Sequence, residues 1–426
     1  MKLSSSLLGK HFKLLVVGGG GGGLGASYKF AKVLPPNSIG IIEPSKTHYY
    51  QPGFTLVGGG LMSLEANTRQ EKDLFHPNTV WINKAASKFL PEKNQVILND
   101  GEELTYDFMI LATGVVPRFD KIKGLEEALN TPGVCTNYSP KYVQKTFEEI
   151  NKYESGNIIF TFPNAPIKCP GAPQKICYIT DSQLRKMGKR KNGDIYYMTA
   201  LPKIFGVEKY RVALDKVAAE KEIVVKTLTN LIEINSKEKL ATFEILNAEC
   251  KPSGETMQMK YSMIHVGPPC SPIAPLVGCQ PLTDANGYID VNPTTLQSKA
   301  FKNVFGVGDC MNTPNPKTAA AVSSHLKTVE KNLKAVMNGE TPEAAYDGYA
   351  SCPLVVGTNK VILAEFSNGI PMETLPIDQS KPSIMNYAMK RYLMPFLYWH
   401  GLIKGVWNGP STIRKILHFG FLPKQK

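Results

Sequence analysis

Apolar residues in this chain come in short unbroken runs closed by glycine, proline or a charge. Leu14-Leu15-Val16-Val17 ends in a tract of six glycines, Gly18 to Gly23. A helical stretch from Leu24 to about Val33 follows, then Pro35-Pro36 and a second run, Ile39 to Ile42, closed by Glu43. Runs of this length predict strands buried on both faces, so the pattern reads strand–loop–helix–strand. Tyr106 to Leu111 predicts another buried strand, closing on Ala112-Thr113-Gly114, and Phe301 to Val307 one that ends at Gly308-Asp309. Between these, Asn157 to Phe162, Gly193 to Met198 and Glu222 to Lys226 predict strands and Lys209 to Ala219 a helix. Ser262 to Val266 predicts the strand that returns the chain to the first unit, and a further helix runs from about Lys317 to Val336. Near the carboxyl terminus, Pro382 to Met394 and Phe396 to Lys404 read as amphipathic helices broken at Pro395, and Pro410 to Phe421 as a third. The fold class is α/β: two Rossmann-like dinucleotide-binding domains with a C-terminal amphipathic helical membrane-binding segment. The first domain takes residues 1–115 and 270–345, the second 116–269, and the C-terminal region 346–426.

Composition changes this picture in two places. At 426 residues, 42% apolar and 20% charged, the chain is globular and long enough for two or three cores. Its eight cysteines show no CxxC pair and no zinc spacing, so neither a disulfide scaffold nor a metal site is indicated. Cys135, Cys177, Cys250, Cys270, Cys279 and Cys310 read as small buried hydrophobes. The net charge of +13 is uneven: from Lys381 to Lys426 there are eight basic residues, eight aromatics and no acid. No nucleic-acid motif accompanies them, and an anionic lipid surface is the partner that cations interleaved with aromatic rings suit. No apolar run reaches about 18 residues, so the attachment expected is monotopic. The basic, serine-containing start is read equally as the remnant of a targeting peptide or as a disordered end.

Gly18-x-Gly20-x-x-Gly23 satisfies the dinucleotide fingerprint, with Glu43 twenty residues later. Glycines let backbone N–H groups approach a pyrophosphate, the helix N-terminus adds partial positive charge, and the acid accepts from a ribose hydroxyl. Gly114 in the Ala-Thr-Gly turn and Asp309 at the later strand end make FAD the dinucleotide expected. The helix opening at Lys317 would point its N-terminus at the flavin. In a second nucleotide-binding unit the strand Ile158 to Phe162 should run into another glycine loop. It runs instead into Pro163-Asn164-Ala165-Pro166-Ile167-Lys168-Cys169-Pro170-Gly171. A proline-stiffened thiol loop lacks the N–H groups for a pyrophosphate, so no NAD(P)H site is expected.

Several segments together resemble the sulfide:quinone oxidoreductases of the mitochondrial type: His48-Tyr49-Tyr50-Gln51-Pro52, Lys168-Cys169-Pro170-Gly171-Ala172-Pro173-Gln174-Lys175, Gly308-Asp309-Cys310, Tyr346 to Val355 around Cys352, and Leu393 to Trp399. The resemblance runs from about residue 11 to 420. It implies a redox pair of Cys169 and Cys352, and FAD contacts at Gly20, Gly21, Gly22 and Gly23, Glu43, Gln51, Ala86, Asp309, and Ala319, Ala320, Ala321 and Val322. It implies hydrogen sulfide as donor, ubiquinone as acceptor, non-covalent FAD, and a place at the mitochondrial inner membrane. A persulfide on Cys352 would pass its sulfur to glutathione, sulfite or coenzyme A. Lys175 is a candidate for lowering a thiol pKa or, equally, a solvated lysine. A type II NADH:quinone oxidoreductase shares the two-domain plan and the tail, and is the alternative. A non-enzymatic flavin-binding protein with ordinary core cysteines is a third reading.

Overall fold

The computed structural model describes residues 10–420. The opening apolar run forms β1 (Lys10–Val17), which leads through the glycines into α1 (Gly21–Phe30) and β2 (Ile39–Ile42). All of β2 and the last four residues of β1 are buried, as parallel strands covered on both faces require. β3 (Thr79–Ile82), β4 (Ala86–Leu90), β5 (Gln95–Leu98) and β6 (Glu103–Leu111) complete a sheet ordered β3–β2–β1–β6–β5–β4. The second sheet takes β7 (Val134–Cys135), β8 (Ile158–Phe162), β9 (Ile195–Thr199) and β10 (Ile223–Lys226), with α2 (Ala172–Lys186) and α3 (Glu208–Glu220) crossing between strands.

Before that sheet closes, an antiparallel meander intervenes: β11 (Thr229–Asn235), β12 (Leu240–Leu246) and β13 (Pro252–Lys260). The apolar pattern does not reveal it, because β13 is almost wholly exposed and its sequence polar. β14 (Met263–Val266) then enters the second sheet between β7 and β8, giving the order β7–β14–β8–β9–β10, parallel throughout. β15 (Val304–Gly306) returns to pair parallel with β6, and α4 (Ala319–Met337) follows. The hairpin β16 (Tyr349–Val355) and β17 (Val361–Ser367) sets Cys352 opposite Ala364.

Four expectations need correction. α1 begins inside the glycine tract rather than at Leu24. A Cβ on Gly21 would stand 3.1 Å from the Tyr398 ring, a tight approach by a residue that returns from the far end of the chain. Pro395 does not break the tail: α-helical Ile384–Ala388 and Met394–Phe396 alternate with π-helical Met389–Leu393 and Leu397–Leu402 in one continuous rod. A proline lacks the N–H and crowds the carbonyl four residues back, and wider π turns on either side give it room. Two of the eight tail cations, Lys390 and Arg414, are buried rather than surface-facing, and Lys424 and Lys426 lie outside the described residues. Cys250 and Cys279 are half-buried, unlike the other four cysteines read as core.

The tail divides by face. Tyr398, Trp399, Leu402 and Ile403 join the core of the first sheet. Among the described residues, nine of the seventeen large exposed apolar side chains lie between residues 384 and 419, among them Met385, Leu393, Phe396 and Ile416, so the outward face is apolar. Among the described residues no helix is long and apolar enough to cross a membrane.

Inside α2, the fully buried Asp181 holds Arg190 Nε at 2.9 Å, Lys221 Nζ at 2.7 Å and Arg185 Nε at 3.0 Å. Asp181→Ala is expected to destabilise the protein by about 3–5 kcal/mol, because it strands the buried Arg190 cation. A urea denaturation midpoint close to that of the parent would contradict this.

Candidate active site

β8 delivers the loop 163–171, and the loop delivers Cys169 in the left-handed region, at φ +49°. A side-chain-bearing residue adopts that conformation at a cost of about 1–2 kcal/mol. Three hydrogen bonds hold it there. Cys169 N donates to Lys317 O at 2.9 Å, and Cys169 O accepts from Ala172 N at 2.8 Å and from the Tyr138 hydroxyl at 3.2 Å. The cysteine is thus tied at once to the start of α2 and to the approach to α4. Cys352 sits mid-strand in β16, 3% exposed. Gly171 permits the meeting: a Cβ there would stand 2.5 Å from Cys352 Sγ. The loop's one glycine therefore serves the approach of a sulfur.

Lys175 lies one turn into α2, buried, with Nζ 3.3 Å from Cys169 Sγ and 4.0 Å from Cys352 Sγ. The Cys352 S–H donates to Cys169, and with the cations Lys175 and Lys390 it holds the Cys169 thiol well below its ordinary value, against the opposing pull of burial. Cys352 moves the other way, raised by its bond to Cys169 and by burial. Burial works against the Lys175 ammonium, yet the adjacent sulfurs keep it above its ordinary value. Lys390, 3% exposed on the C-terminal rod, is pushed down to about 8 by burial and by the neighbouring Lys175. Its Nζ donates to Pro52 O at 2.9 Å. The ammonium lies nearer Cys169 than Cys352, so negative charge on the reduced pair is favoured at Cys169.

β1, β2, β6 and β15 run parallel, so Gly18 to Gly23, Glu43, Gly114 and Asp309 all emerge at one sheet edge. Glu43 accepts from Gly19 N and Ser45 N, both at 2.7 Å, while burial raises its carboxyl. The N-terminus of α1 has no side-chain cap and no acid in its first turn, and a Cβ on Gly20 or Gly114 would meet nothing within 4 Å. A helix N-terminus with free N–H groups facing open space, flanked by an acid, fits a pyrophosphate and its ribose. Asp309 is raised by burial against the pull of Lys317 and Lys168.

The remaining predicted contacts are placed less uniformly. Lys317 directs its ammonium to Asp309 O at 2.7 Å and Met311 O at 3.0 Å, bracing its own loop. Thr318 caps α4 by accepting from Ala321 N, which leaves the N–H groups of Ala319 and Ala320 at the helix mouth, with Val322 half-buried behind them. Gln51 accepts from Lys168 Nζ at 2.7 Å, on the wall of a cavity of about 350 Å³ that Tyr49, Phe54 and Tyr138 also line. Ala86 is buried at the start of β4. A second cavity, about 120 Å³, has Cys352 and Thr318 in its wall and is otherwise lined by apolar and aromatic groups, with exposed Leu201 and Gly206 also lining it. Lys390 was not singled out by the sequence pattern. Its signal was a lysine on the buried stripe between Tyr387 and Tyr398.

A family model described as pyridine nucleotide-disulphide oxidoreductase matches residues 12–149. The chain is 42% identical over 412 residues to the mitochondrial sulfide:quinone oxidoreductase of Mus musculus, covering 96% of this chain and 90% of that protein. It is 41% identical over 405 residues to the Dictyostelium discoideum protein of the same name, covering 94% and 88%. Among solved structures, the sulfide:quinone oxidoreductase of Aquifex aeolicus superposes with a TM-score of 0.79 at 20% identity, covering 98% of each chain, a likeness of fold.

Lys175→Met removes the cation nearest Cys169. The expected outcome is an upward shift of the Cys169 thiol by about one pH unit or more, read as the pH midpoint of alkylation in a Cys352→Ser background. An unmoved midpoint would show that Lys175 does not hold the thiolate.

Proposed function

The chain belongs to the sulfide:quinone oxidoreductase family, and from that premise we propose that it oxidises hydrogen sulfide at Cys169 and Cys352 and delivers two electrons to ubiquinone with FAD as non-covalent cofactor. The observation that carries this reading is the Lys175 ammonium set between the two sulfurs, 3.3 Å from Cys169 and 4.0 Å from Cys352, so that it best stabilises a thiolate leaving on Cys169. In the oxidised pair, bisulfide attacks the sulfur whose partner leaves more readily. A thiol of lower pKa is the better leaving group, so attack falls on Cys352. The bond from bisulfide to Cys352 forms, the Cys352–Cys169 bond breaks, and the products are a Cys352 persulfide and a Cys169 thiolate held by Lys175. The 120 Å³ cavity that reaches Cys352 supports the same side for sulfide.

Gly20 to Gly23, Glu43, Gly114, Asp309 and the start of α4 would hold FAD, which when bound supplies a two-electron carrier between thiol chemistry and a quinone. The Cys352 persulfide passes its sulfane sulfur to glutathione, sulfite or coenzyme A. Where NADH would need a glycine cradle, Cys169, Pro170, Pro173 and the Lys175 ammonium stand instead, which favours sulfide over the NADH alternative. The apolar outward face of residues 384–419 supports seating on the mitochondrial inner membrane, where ubiquinone is dissolved.

Stopped-flow mixing of the FAD-loaded protein is expected to show rapid loss of flavin absorbance with sulfide and none with NADH. Bleaching by NADH would reverse the assignment of donor. Cys169→Ser and Cys352→Ser are each expected to cut sulfide-dependent quinone reduction by orders of magnitude with FAD retained. Gly206→Trp, which enters open space at the 120 Å³ cavity, is expected to slow reduction by sulfide but not by dithionite. For the membrane, Leu393→Ser/Phe396→Ser/Ile416→Ser is expected to lose co-sedimentation with cardiolipin-containing liposomes while the fold persists. Undiminished binding would remove the outward face from the attachment.

A further inference from the structure

Two carboxylates, rather than one, face the glycine loop. A Cβ at Gly19 would stand 2.6 Å from Glu43 Cγ and 3.0 Å from Glu71 Oε1, so the two acids flank this residue. Glu71 follows the short strand Thr68–Gln70 and is 2% exposed. Its Oε2 lies 3.0 Å from His48 Nδ1, while its Oε1 has no hydrogen-bond partner among the described residues. A buried acceptor left without a donor is costly, more so when it is charged, so an orphan beside a ligand-binding loop points to a donor that the ligand brings.

The other oxygen leads elsewhere. His48 is buried, and its Nε2 lies 2.7 Å from the hydroxyl of Tyr398 in the C-terminal rod. A carboxylate only accepts, so Nδ1 carries the hydrogen and Nε2 accepts from the Tyr398 O–H. The chain of bonds runs in one direction: Tyr398 to His48, His48 to Glu71. Tyr398 also touches the space that a side chain on Gly21 would fill, and its ring centroid lies 4.8 Å from that of Tyr50. One carboxylate is thus shared between the mouth of the dinucleotide site and the tail.

We propose that Glu71 is a second acceptor for the ribose diol of the bound dinucleotide and, through His48 and Tyr398, the positioning residue by which an occupied site holds the C-terminal rod in place. The inference rests on the FAD reading above. A hydroxyl on Oε1 fixes the carboxylate, and the fixed carboxylate orients His48 toward Tyr398. Cofactor loading and seating of the membrane-facing rod then stabilise each other reciprocally, as any such linkage must.

The test uses full-length apoprotein titrated with FAD, read by flavin fluorescence and by the rate of tryptic cleavage between Arg391 and Lys415. In the parent protein FAD is expected to slow that cleavage by about fivefold or more, while FMN, which lacks the adenosine ribose, does not. Tyr398→Phe and the near-isosteric Glu71→Gln are each expected to weaken FAD binding by about fivefold or more and to erase the protection. Either variant suffices should the other fail to fold. Three results would overturn the proposal: unchanged FAD affinity in both variants, equal protection by FMN, or a rod loosened to the same extent with and without FAD. A parent protein that binds no FAD would instead refute the cofactor reading, and sulfide enters neither measurement.

Discussion

A thiolate enclosed by protein persists only where a cation replaces the water it has lost, and Lys175 is that cation for Cys169. Much of the structure follows from this pairing. α2 must start immediately after the cysteine loop so that its first turn brings the ammonium back to the sulfur. The second sheet gives up the glycine cradle that a nucleotide would need at the same strand end. The hairpin of β16 and β17 must press Cys352 against Gly171, close enough for both sulfurs to share one ammonium. Asp181 then fastens the middle of α2 to Arg190 and Lys221, holding the helix that carries the cation.

The C-terminal rod meets three demands at once. It turns Lys390 inward to the sulfurs, packs Tyr398, Trp399, Leu402 and Ile403 into the first core, and leaves Met385, Leu393 and Phe396 outside. Such a segment is not an appendage. Removing it would open the core beside α1 and take a cation from the two sulfurs, so deletion disturbs the fold, whereas substitution on the outer face probes the proposed membrane attachment alone.

Legibility in the sequence followed burial. β2, β8 and the last four residues of β1 read as apolar runs because parallel strands are covered on both faces. β2, β8 and β14 lie within a residue of their expected bounds, whereas β1 starts four residues before its expected run, in a largely exposed, basic stretch. The exposed β13 carried no such pattern, and the meander it closes went unread. The glycine tract signalled a phosphate loop, but only Gly20 faces open space, while Gly21 is small because Tyr398 packs on it. No local pattern could say so, since the partner arrives from the other end of the chain. The same distance hid Glu71 and His48, ordinary polar residues until the fold sets them beside Gly19. Cys169 and Cys352 stood out only through their flanking residues, for nothing in their spacing predicts that they meet.

The left-handed backbone at Cys169 bears on how this chain would change under neutral drift. Glycine and asparagine suit that conformation better than cysteine, so folding alone pushes the position toward them. Cys352 lies under the opposite pressure, packed in a strand where a small apolar side chain is welcome. Under the redox role proposed above, descendants freed from that selection would shed Cys169 early and keep Cys352 as a fossil.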